Sequence, residues 1–383
     1  MAHHKKKKKR GSTITFVIEI LVLLILVAGI FAYAKVRESF ENFQSSEIKA
    51  DDGEKIIDDA SIEINEGVIG NKNLKGYRNI ALIGLDTRSG SLKYANSDTM
   101  IIASINNDTQ QVKLVSIYRD TYLDAGGESG YNKANDAYNR GSATQFLSMI
   151  NRNLDMAVTD YIVVDFNAVS EMVDQLGGIS ITMTADEVTH MNNYCVETSK
   201  VTGRSYQRIE PEVEGTYTLN GVQATSYARI RATAGNDFKR TARQRLVIEK
   251  IVEKTKKKGI TAFSSIAENV FPLVSTNLSK SEIVKLGTQM FGYDISETAG
   301  FPSIFTFADI GRLDAVVPVT LCENVKELHQ WLYGEEDYQP SATVREISEE
   351  ITARTGFGED YIEKAREIAN SQNPDTGSEA DGR

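Results

Sequence analysis

The longest apolar stretch of the chain lies close to its N-terminus. Residues 14–34, ITFVIEILVLLILVAGIFAYA, carry a single charged side chain, Glu19. As a helix this stretch would extend about 31 Å, which matches the thickness of a bilayer core. A cleavable secretory signal is the alternative, but its apolar region would be shorter and a small-residue cleavage site would follow it. The following segment AYAKVRESF is a poor cleavage site, so the pattern favours an uncleaved transmembrane helix.

The basic residues that precede this stretch indicate its orientation. Residues 5–10 are all lysine or arginine, and such a cluster holds a short N-terminal tail on the cytoplasmic side. The pattern therefore predicts a cytoplasmic tail over 1–13, a single pass through the cell membrane, and an extracytoplasmic location for the rest of the chain. Glu19 would lie near the cytoplasmic headgroups or, alternatively, form an intramembrane functional site.

Polar and apolar positions divide the rest of the chain into three parts. Residues 35–76 are polar and acidic without a sustained apolar face, which predicts a stalk between the membrane and a domain. Apolar periodicity returns over 77–369 and predicts the globular domain. The polar residues 370–383 predict a disordered tail.

Within the domain, short apolar runs alternate with helical patterns. Runs rich in β-branched residues predict strands at 79–84, 99–106, 111–118, 161–166 and 179–183. Helical spacing predicts helices at 133–153, 167–176, 219–230, 238–257, 281–291, 323–333 and 342–353. Strands mixed with helices in this way predict an α/β fold, in which helices flank both faces of a central mixed β-sheet.

Charge and composition narrow the range of functions. The formal net charge is −10, and removing residues 1–34 leaves 37 basic and 52 acidic residues, or −15. An acidic external part without a basic stripe is a poor partner for nucleic acid. The two cysteines, Cys195 and Cys322, are compatible with a disulfide or with two unpaired thiols. No histidine or cysteine pattern has the spacing of a zinc site.

Two aspartates lie beside predicted strand ends. Asp86 follows the first strand in GLDTR, and Asp98 begins the second in NSDT. If these strands are antiparallel neighbours, both carboxylates meet at one edge of the sheet. Such a pair would suit Mg²⁺, which takes oxygen ligands and keeps several waters. Turn and cap positions, which aspartate also favours, are the alternative interpretation.

Arginines recur beside the predicted elements of this acidic domain. Arg119 and Asp120 follow the third strand, where a surface salt bridge is the simpler interpretation. The long helix near residue 238 begins with basic side chains, so either an anion compensates its dipole or the face is solvated. Together the arginines indicate a phosphate or pyrophosphate clamp, because guanidinium groups match phosphate oxygens. The clamp residues are Arg88, Arg119, Arg229, Arg231, Arg240 and Arg243, with Gln244 on the same helix face.

These segments, in this order, resemble the LytR-CpsA-Psr family. The matching stretches are RNIALIGLDTR, NSDTMIIASIN, LVSIYRDT, KANDAYNRG, DYIVVDFNAVSEMVDQLGGISI, LNGVQATSYARIR and NDFKRTARQR, within about 77–258. The resemblance implies a phosphotransferase for an anionic glycopolymer, such as teichoic acid or capsular polysaccharide. It would move the polymer from a polyprenyl-pyrophosphate carrier in the membrane to a peptidoglycan hydroxyl.

The resemblance also implies roles for individual residues. Acids matching Asp86 and Asp98 lie at a Mg²⁺ site in the family. The residues matching its pyrophosphate site are Arg88, Arg119, Arg229 and Arg231, and those matching its charged helix are Arg240, Arg243 and Gln244. Catalysis by Asp98, Arg119 and Asp120 would then rest on positioning and electrostatics, with Asp98 or Asp120 accepting the proton of the acceptor hydroxyl.

The chain departs from the family at Tyr118, where the family usually has proline. This change affects the geometry of the loop and removes no charge. Lys133 and Asn135 match polar family positions, although surface polarity would also explain them. A polyprenyl chain would need an apolar groove, to which the helical stretches 146–150 and 169–173 could contribute unless they are ordinary core.

Two other functions stay open at this stage. The same site could hydrolyse the lipid-linked pyrophosphate with water as the acceptor. Alternatively, the chain could be a non-catalytic, membrane-anchored regulator of the cell envelope. The C-terminal stretch 300–369 contains no motif that indicates chemistry.

Overall fold

The computed structural model describes residues 62–87, 92, 95–231 and 236–372 of the 383-residue chain. All of them belong to the larger of two compact units, Glu47–Arg383. The predicted cytoplasmic tail, the predicted transmembrane helix and the first part of the predicted stalk lie outside the described residues. Among the residues that are described, no helix combines the length and the apolar character needed to cross a bilayer.

The described strands form one large sheet and three small ones. They are β1 (Tyr77–Leu85), β2 (Ser97–Asn106), β3 (Gln111–Ile117), β4 (Tyr122–Asp124), β5 (Tyr131–Lys133), β6 (Asp160–Val164), β7 (Ile179–Met183), β8 (Gly215–Leu219), β9 (Ser275–Thr276), β10 (Asp294–Phe301), β11 (Phe305–Ile310) and β12 (Leu313–Pro318). The large sheet has the order β10-β3-β2-β1-β6-β9. β2 is antiparallel to β1 and β3, whereas β6 and β10 are parallel to their neighbours β1 and β3. The predicted mixed sheet is confirmed.

Helices surround this sheet. The described α-helices are α1 (Asp136–Leu154), α2 (Phe166–Gln175), α3 (Ala185–Thr202), α4 (Gly221–Ala228), α5 (Asn236–Lys258), α6 (Ile260–Asn269), α7 (Lys280–Gln289), α8 (Leu321–Tyr333), α9 (Ala342–Thr355) and α10 (Ile362–Gln372). Several begin with a capping box. The side chain of an Asn, Ser or Thr N-cap accepts a hydrogen bond from the backbone N–H of the third helical residue, and the Glu or Gln side chain of that residue accepts one from the backbone N–H of the N-cap.

Alternate residues of the central strands are buried on opposite faces. In β1, Ile83 packs in the core formed with α1, α8 and α9, and Ile80 packs on the other side with Leu286 of α7. Ile101 of β2 packs on that second side with Ile248 of α5. Because both faces are covered, the strands read as continuous apolar runs, which is why the sequence predicted them. The predicted α/β fold with helices on both faces is confirmed.

The domain starts earlier and ends later than the sequence indicated. Residues 62–76, assigned to the stalk, pack against the domain: Asn65 is buried, and its side-chain amide donates to Asp155 Oδ1 at 2.6 Å. At the other end α10 continues to Gln372, three residues past the predicted boundary at 369. Both segments are mostly polar and lack a regular apolar spacing, so the sequence pattern did not assign them to the domain, although Ile62 and Leu74 pack against the main core.

Both cysteines are free thiols. Cys195 is fully buried in α3, and burial raises its pKa to about 11. Cys322 is partly buried, and burial raises its pKa as well. Of the two states that the sequence allowed, the structure shows the unpaired one.

Candidate active site

The ends of β1 and β2 place two acidic side chains at one edge of the large sheet. The two strands are antiparallel neighbours, which is the condition under which the sequence brings both acids to one edge, and Gly84 lies opposite Thr99. A Cβ atom at position 84 would lie 2.8 Å from the Cβ of Thr99, so glycine permits the close approach. Asp86 leaves β1 and Asp98 enters β2 beside this contact, and both line the same cavity.

This cavity has a volume of about 470 Å³ and two chemically different parts. The charged and amide side chains that line it are Asp86, Asp98, Arg119, Asp165, Glu197, Arg229, Arg231, Arg240 and Gln244. Its apolar and aromatic lining includes Leu82, Val164, Phe166, Val169, Tyr194, Val247 and Ile248. Of the two stretches predicted for an apolar groove, 169–173 contributes Val169, whereas 146–150 is buried in the main core.

Asp98 lies at the centre of the charged part. Its Oδ1 accepts from Arg119 Nη1 at 3.1 Å, and its Oδ2 accepts from Arg231 Nη2 at 2.7 Å and from Arg240 Nη1 at 3.4 Å. Arg240 also donates to the backbone carbonyl of Asp98. Three arginines from distant parts of the sequence therefore converge on one carboxylate.

Asp237 is a second anchor for the same arginines, and it is not among the site residues predicted from the sequence. Its carboxylate lies 3.2 Å from Arg119 Nε, 3.5 Å from Arg231 Nε and 3.5 Å from Arg240 Nη1. Burial alone would raise the pKa of Asp237, but Arg240, Arg119 and Arg231 lower it below its usual value. The signal available in the sequence was its position three residues before Arg240 in the first turn of α5.

The positive charges of the arginines in this cluster are nearly balanced by the negative charges of its carboxylates. Burial alone would lower the pKa of Arg119, but the carboxylates of Asp237, Asp98 and Asp120 raise it above its usual value. Arg240 is almost fully buried, and this burial lowers its pKa. Since each guanidinium already has a carboxylate partner, the cluster is preorganised before any ligand binds.

Arg229 directly follows α4, lines the same cavity and is held by a separate set of contacts. Its guanidinium lies 4.4 Å from the ring centroid of Phe166 and donates to Thr198 Oγ1 and to Glu197 Oε2, both at 2.9 Å. Stacking on an aromatic ring fixes the plane of a guanidinium and leaves its edge available for hydrogen bonds. The side chain is only 13% exposed, so it is held in place rather than solvated.

Two predicted clamp residues and one predicted catalytic residue do not line this cavity in the described part of the chain. Arg243 does not line the cavity; its Nε donates to Glu187 Oε1 at 2.8 Å and its Nη1 donates to the carbonyl of Ile230 at 3.1 Å. Successive helix residues are about 100° apart around the axis, so Gln244 faces the cavity and Arg243 faces away. Asp120 lines a neighbouring cavity instead. Arg88 lies outside the described residues.

The two acids at the strand ends fit a hard divalent cation. In the part of the chain that the structure describes, Asp86 Oδ1 is buried without a hydrogen-bond partner, as is Gln244 Oε1 in the same cavity. The described residues contain no group of three or more His, Cys, Asp or Glu side chains that could hold a metal. Two carboxylates suffice for Mg²⁺ when water and phosphate oxygens complete its coordination.

Tyr118, where the family usually has proline, forms part of an aromatic cluster beneath the Arg119 loop. Its ring packs edge-on against the rings of Phe238 and Phe305, at centroid distances of 4.4 Å and 6.0 Å. A Cβ at position 300 would lie 2.0 Å from the Tyr118 hydroxyl, so Gly300 leaves space for the tyrosine. Ring packing therefore fixes a loop that proline would otherwise stiffen.

The two polar positions near β5 also support this loop. Lys133 Nζ lies 3.0 Å from Asp120 Oδ1. The backbone N–H of Asn135 donates to the carbonyl of Arg119 at 3.1 Å. Both contacts hold the Arg119 and Asp120 backbone and side chains close to the sheet edge.

Several known proteins are similar to this chain. A polyisoprenyl-teichoic acid–peptidoglycan teichoic acid transferase TagU of Enterococcus faecalis is 31% identical over 56% of this chain and 66% of its own length. The chain thus spans slightly under two-thirds of that relative. The TagU of Bacillus subtilis is 28% identical over 73% of this chain and 82% of its own length.

A solved structure shares the fold. It is the LytR-CPS2A-psr family protein YwtF (TagT) with bound octaprenyl pyrophosphate lipid. The match has a TM-score of 0.50 and 23% identity, and it covers 68% of this chain and 92% of that chain. The model of the LytR_cpsA_psr family matches residues 36–299. This match spans more than half of the sequence, and the chain belongs to the LytR-CpsA-Psr family.

Proposed function

We propose that this chain is a phosphotransferase that moves an anionic glycopolymer from a polyprenyl-pyrophosphate carrier to a peptidoglycan hydroxyl. The observation that carries the proposal is the single cavity in which arginines lie beside an apolar wall. A polyprenyl pyrophosphate has a doubly phosphorylated head and a hydrocarbon chain, so it matches both parts. The TagU relatives are named as teichoic acid transferases, and the YwtF structure contains octaprenyl pyrophosphate.

The apolar wall accounts for the lipid part of the substrate. Leu82 from β1, Val164 from β6 and Ile248 from α5 line the cavity together. Burying a hydrocarbon chain against such side chains stabilises the complex by about 25 cal/mol for each Å² removed from water. A soluble phosphate ester would gain nothing from this surface, which favours a lipid-linked donor.

The arginines would supply the electrostatic part of catalysis. Transfer of a phosphoryl group increases the charge on the departing phosphate oxygen, and fixed guanidinium groups stabilise this charge. Arg119, Arg231 and Arg240 already share the carboxylates of Asp98 and Asp237. These carboxylates hold the guanidinium groups in place, so little reorganisation is needed when the pyrophosphate binds.

Asp86 and Asp98 would hold Mg²⁺ in this proposal. The buried, unpartnered Oδ1 of Asp86 supports the first of these roles. When bound, the ion would offset negative charge on the pyrophosphate. Because Asp98 also accepts from three arginines, its carboxylate links the proposed metal position to the clamp.

We also propose that the domain works outside the cell, anchored by the apolar stretch 14–34. The support is the sequence itself, in which lysines and an arginine at 5–10 precede 21 residues with one charge. Lipid-linked donor and peptidoglycan would both be accessible from that side of the membrane.

The test is a reconstituted reaction of the full chain with a lipid-linked donor and peptidoglycan. We expect polymer to become covalently attached to the glycan, with release of polyprenyl phosphate, and we expect Asp98→Asn to lose this activity. A hydrolase would instead release free polymer phosphate at the same rate with and without peptidoglycan. Acceptor-independent release as the only reaction would contradict the proposal.

A further inference from the structure

A second, smaller cavity of about 160 Å³ shares Arg119 with the first. Its lining combines residues beside the clamp, Asp120 and Asp237, with Phe307 and Asp314 of the C-terminal part. The family model matches residues 36–299, so this wall lies beyond that match. A stretch in which the sequence indicated no chemistry thus contributes side chains next to the site.

Backbone hydrogen bonds fix this C-terminal wall against the Arg119 loop. The N–H of Val316 in β12 donates to the carbonyl of Asp120 at 2.9 Å, and Val316 forms a parallel bridge with Thr121. The N–H of Tyr118 donates to the carbonyl of Phe301 at 3.0 Å. The hairpin of β11 and β12 is therefore attached directly to the loop that carries Arg119.

The hairpin presents an aromatic ring at this cavity. Phe307 is 45% exposed, whereas its neighbours Phe238 and Phe305 are buried. Its ring packs edge-on against both of them, at centroid distances of 6.0 Å and 5.7 Å. An exposed ring supported by two buried rings offers a rigid apolar surface, which costs little conformational entropy when a ligand packs on it.

The carboxylates that line this smaller cavity would repel a second anion. Asp120, Asp237 and Asp314 are all acceptors in their ionised form. Carboxylates beside an aromatic ring suit a neutral molecule that has hydroxyl donors and a C–H face. Ligand pockets for whole small molecules are usually about 300–1,000 Å³, so this smaller space suits one ring of a larger molecule.

We propose that this cavity is the acceptor subsite and binds a neutral, hydroxylated sugar ring of the glycan acceptor. The inference rests on the transferase function proposed above. The C–H face of the ring packs on Phe307, and its hydroxyls donate to Asp314 and Asp120. Because Arg119 lines both cavities, a hydroxyl bound here lies beside the group that holds the pyrophosphate.

The transfer step follows from this placement. The acceptor hydroxyl oxygen forms a bond to the phosphorus that carries the polymer. The bond from that phosphorus to the bridging oxygen breaks, and its electron pair leaves with polyprenyl phosphate. The hydroxyl proton passes to Asp120, which lines the acceptor cavity, whereas Asp98 lines only the donor cavity.

The test uses Phe307→Ala and Asp314→Asn in the full chain, with acceptor and donor concentrations varied separately. The acceptor is a soluble, uncrosslinked peptidoglycan glycan fragment. We expect kcat/KM for the acceptor to fall about tenfold in each variant, equivalent to about 1.4 kcal/mol. Donor binding should stay within about twofold of wild type, since neither residue lines the donor cavity.

Two further variants separate binding from structure. Phe307→Tyr keeps an aromatic ring and should retain acceptor kinetics. Asp309→Asn makes the same charge change at the residue paired with Asp314 in the hairpin, outside the cavity lining, and should have no effect. Unchanged acceptor kinetics in both Phe307→Ala and Asp314→Asn, or an equal loss of donor binding, would overturn the subsite. Failure of the wild-type chain to transfer polymer at all would instead overturn the proposed function, and the subsite with it.

Discussion

Replacing Arg231 by alanine separates the proposed catalytic role of the clamp from its structural role. Arg231 Nη2 donates to Asp98 at 2.7 Å, and its Nε lies 3.5 Å from Asp237. The side chain is 38% exposed, so solvent screens these ion pairs and their loss should cost at most about 1 kcal/mol of unfolding free energy. Asp98 also keeps its contacts with Arg119 and Arg240.

The effect on catalysis should be much larger than the effect on stability. Loss of one preorganised donor to a developing anion typically costs about 3 kcal/mol in the transition state, or about a hundredfold in rate. We therefore expect kcat/KM for the lipid-linked donor to fall about a hundredfold in Arg231→Ala, while the urea midpoint of unfolding changes little. Steady-state transfer kinetics and equilibrium unfolding of the same preparation measure both quantities.

A matched arginine provides the control. Arg208 is 43% exposed and pairs with Glu212, but it does not line the cavity. Arg208→Ala should therefore keep wild-type kinetics. Transfer by Arg231→Ala within about threefold of wild type, or a loss of activity that only follows a loss of folded protein, would contradict this role of Arg231.

Three other changes should have predictable effects. Gly84→Ala places a Cβ 2.8 Å from that of Thr99, so we expect the overpacked strand pair to lose about 1–3 kcal/mol of stability in urea unfolding. His329 is fully buried, and its ring nitrogens contact Glu335 and a backbone carbonyl. Because both partners lose a hydrogen bond, His329→Phe should lower the free energy of unfolding by about 3 kcal/mol. Burial raises the pKa of Cys195 to about 11, so at pH 8 only about one thiol in a thousand is ionised. We therefore expect Cys195 to resist alkylation at pH 8. Its labelling should increase as the pH rises toward 11.

Each of these changes has its own control. His190 is only partly buried, so His190→Phe should change stability far less than His329→Phe. Partly buried Cys322 provides an internal comparison in the labelling experiment, and mass spectrometry of digested protein should show it modified before Cys195. A Gly84→Ala variant with the wild-type unfolding midpoint would show that the strand pair has room that the structure denies.

The sheet follows from local patterns in the sequence, whereas the clamp was predicted from the set of arginines in an acidic domain and from the family resemblance. Strands such as β1 and β2 are buried on both faces, so their apolar runs stand out from the polar turns around them. The segment between these strands allows antiparallel pairing, and this pairing brings Asp86 and Asp98 to one edge. Arg119 follows β3, Arg231 follows α4, and Arg240 lies near the start of α5. Because these elements end or begin at that edge, the three guanidinium groups meet there.

What the sequence did not predict depends on tertiary contacts. α3 contains many Thr and Asn residues, and its moderate amphipathic pattern is stabilised by packing on α4 rather than by propensity. Asp237 acquires its role because three arginines surround it in space. The hairpin of β11 and β12 matters because backbone bonds place it against Asp120, a residue almost two hundred positions earlier in the chain.

The most direct test of the central claim compares three ligands for the purified full chain in detergent by titration calorimetry. These are a polyprenyl pyrophosphate, the matching polyprenol without phosphate, and inorganic pyrophosphate. We expect one-to-one binding of the polyprenyl pyrophosphate, and at least about tenfold weaker binding of the other two. The polyprenol engages only the apolar wall, and inorganic pyrophosphate engages only the arginines. Equal affinity for the polyprenol and its pyrophosphate, or no binding of either lipid, would contradict the central claim.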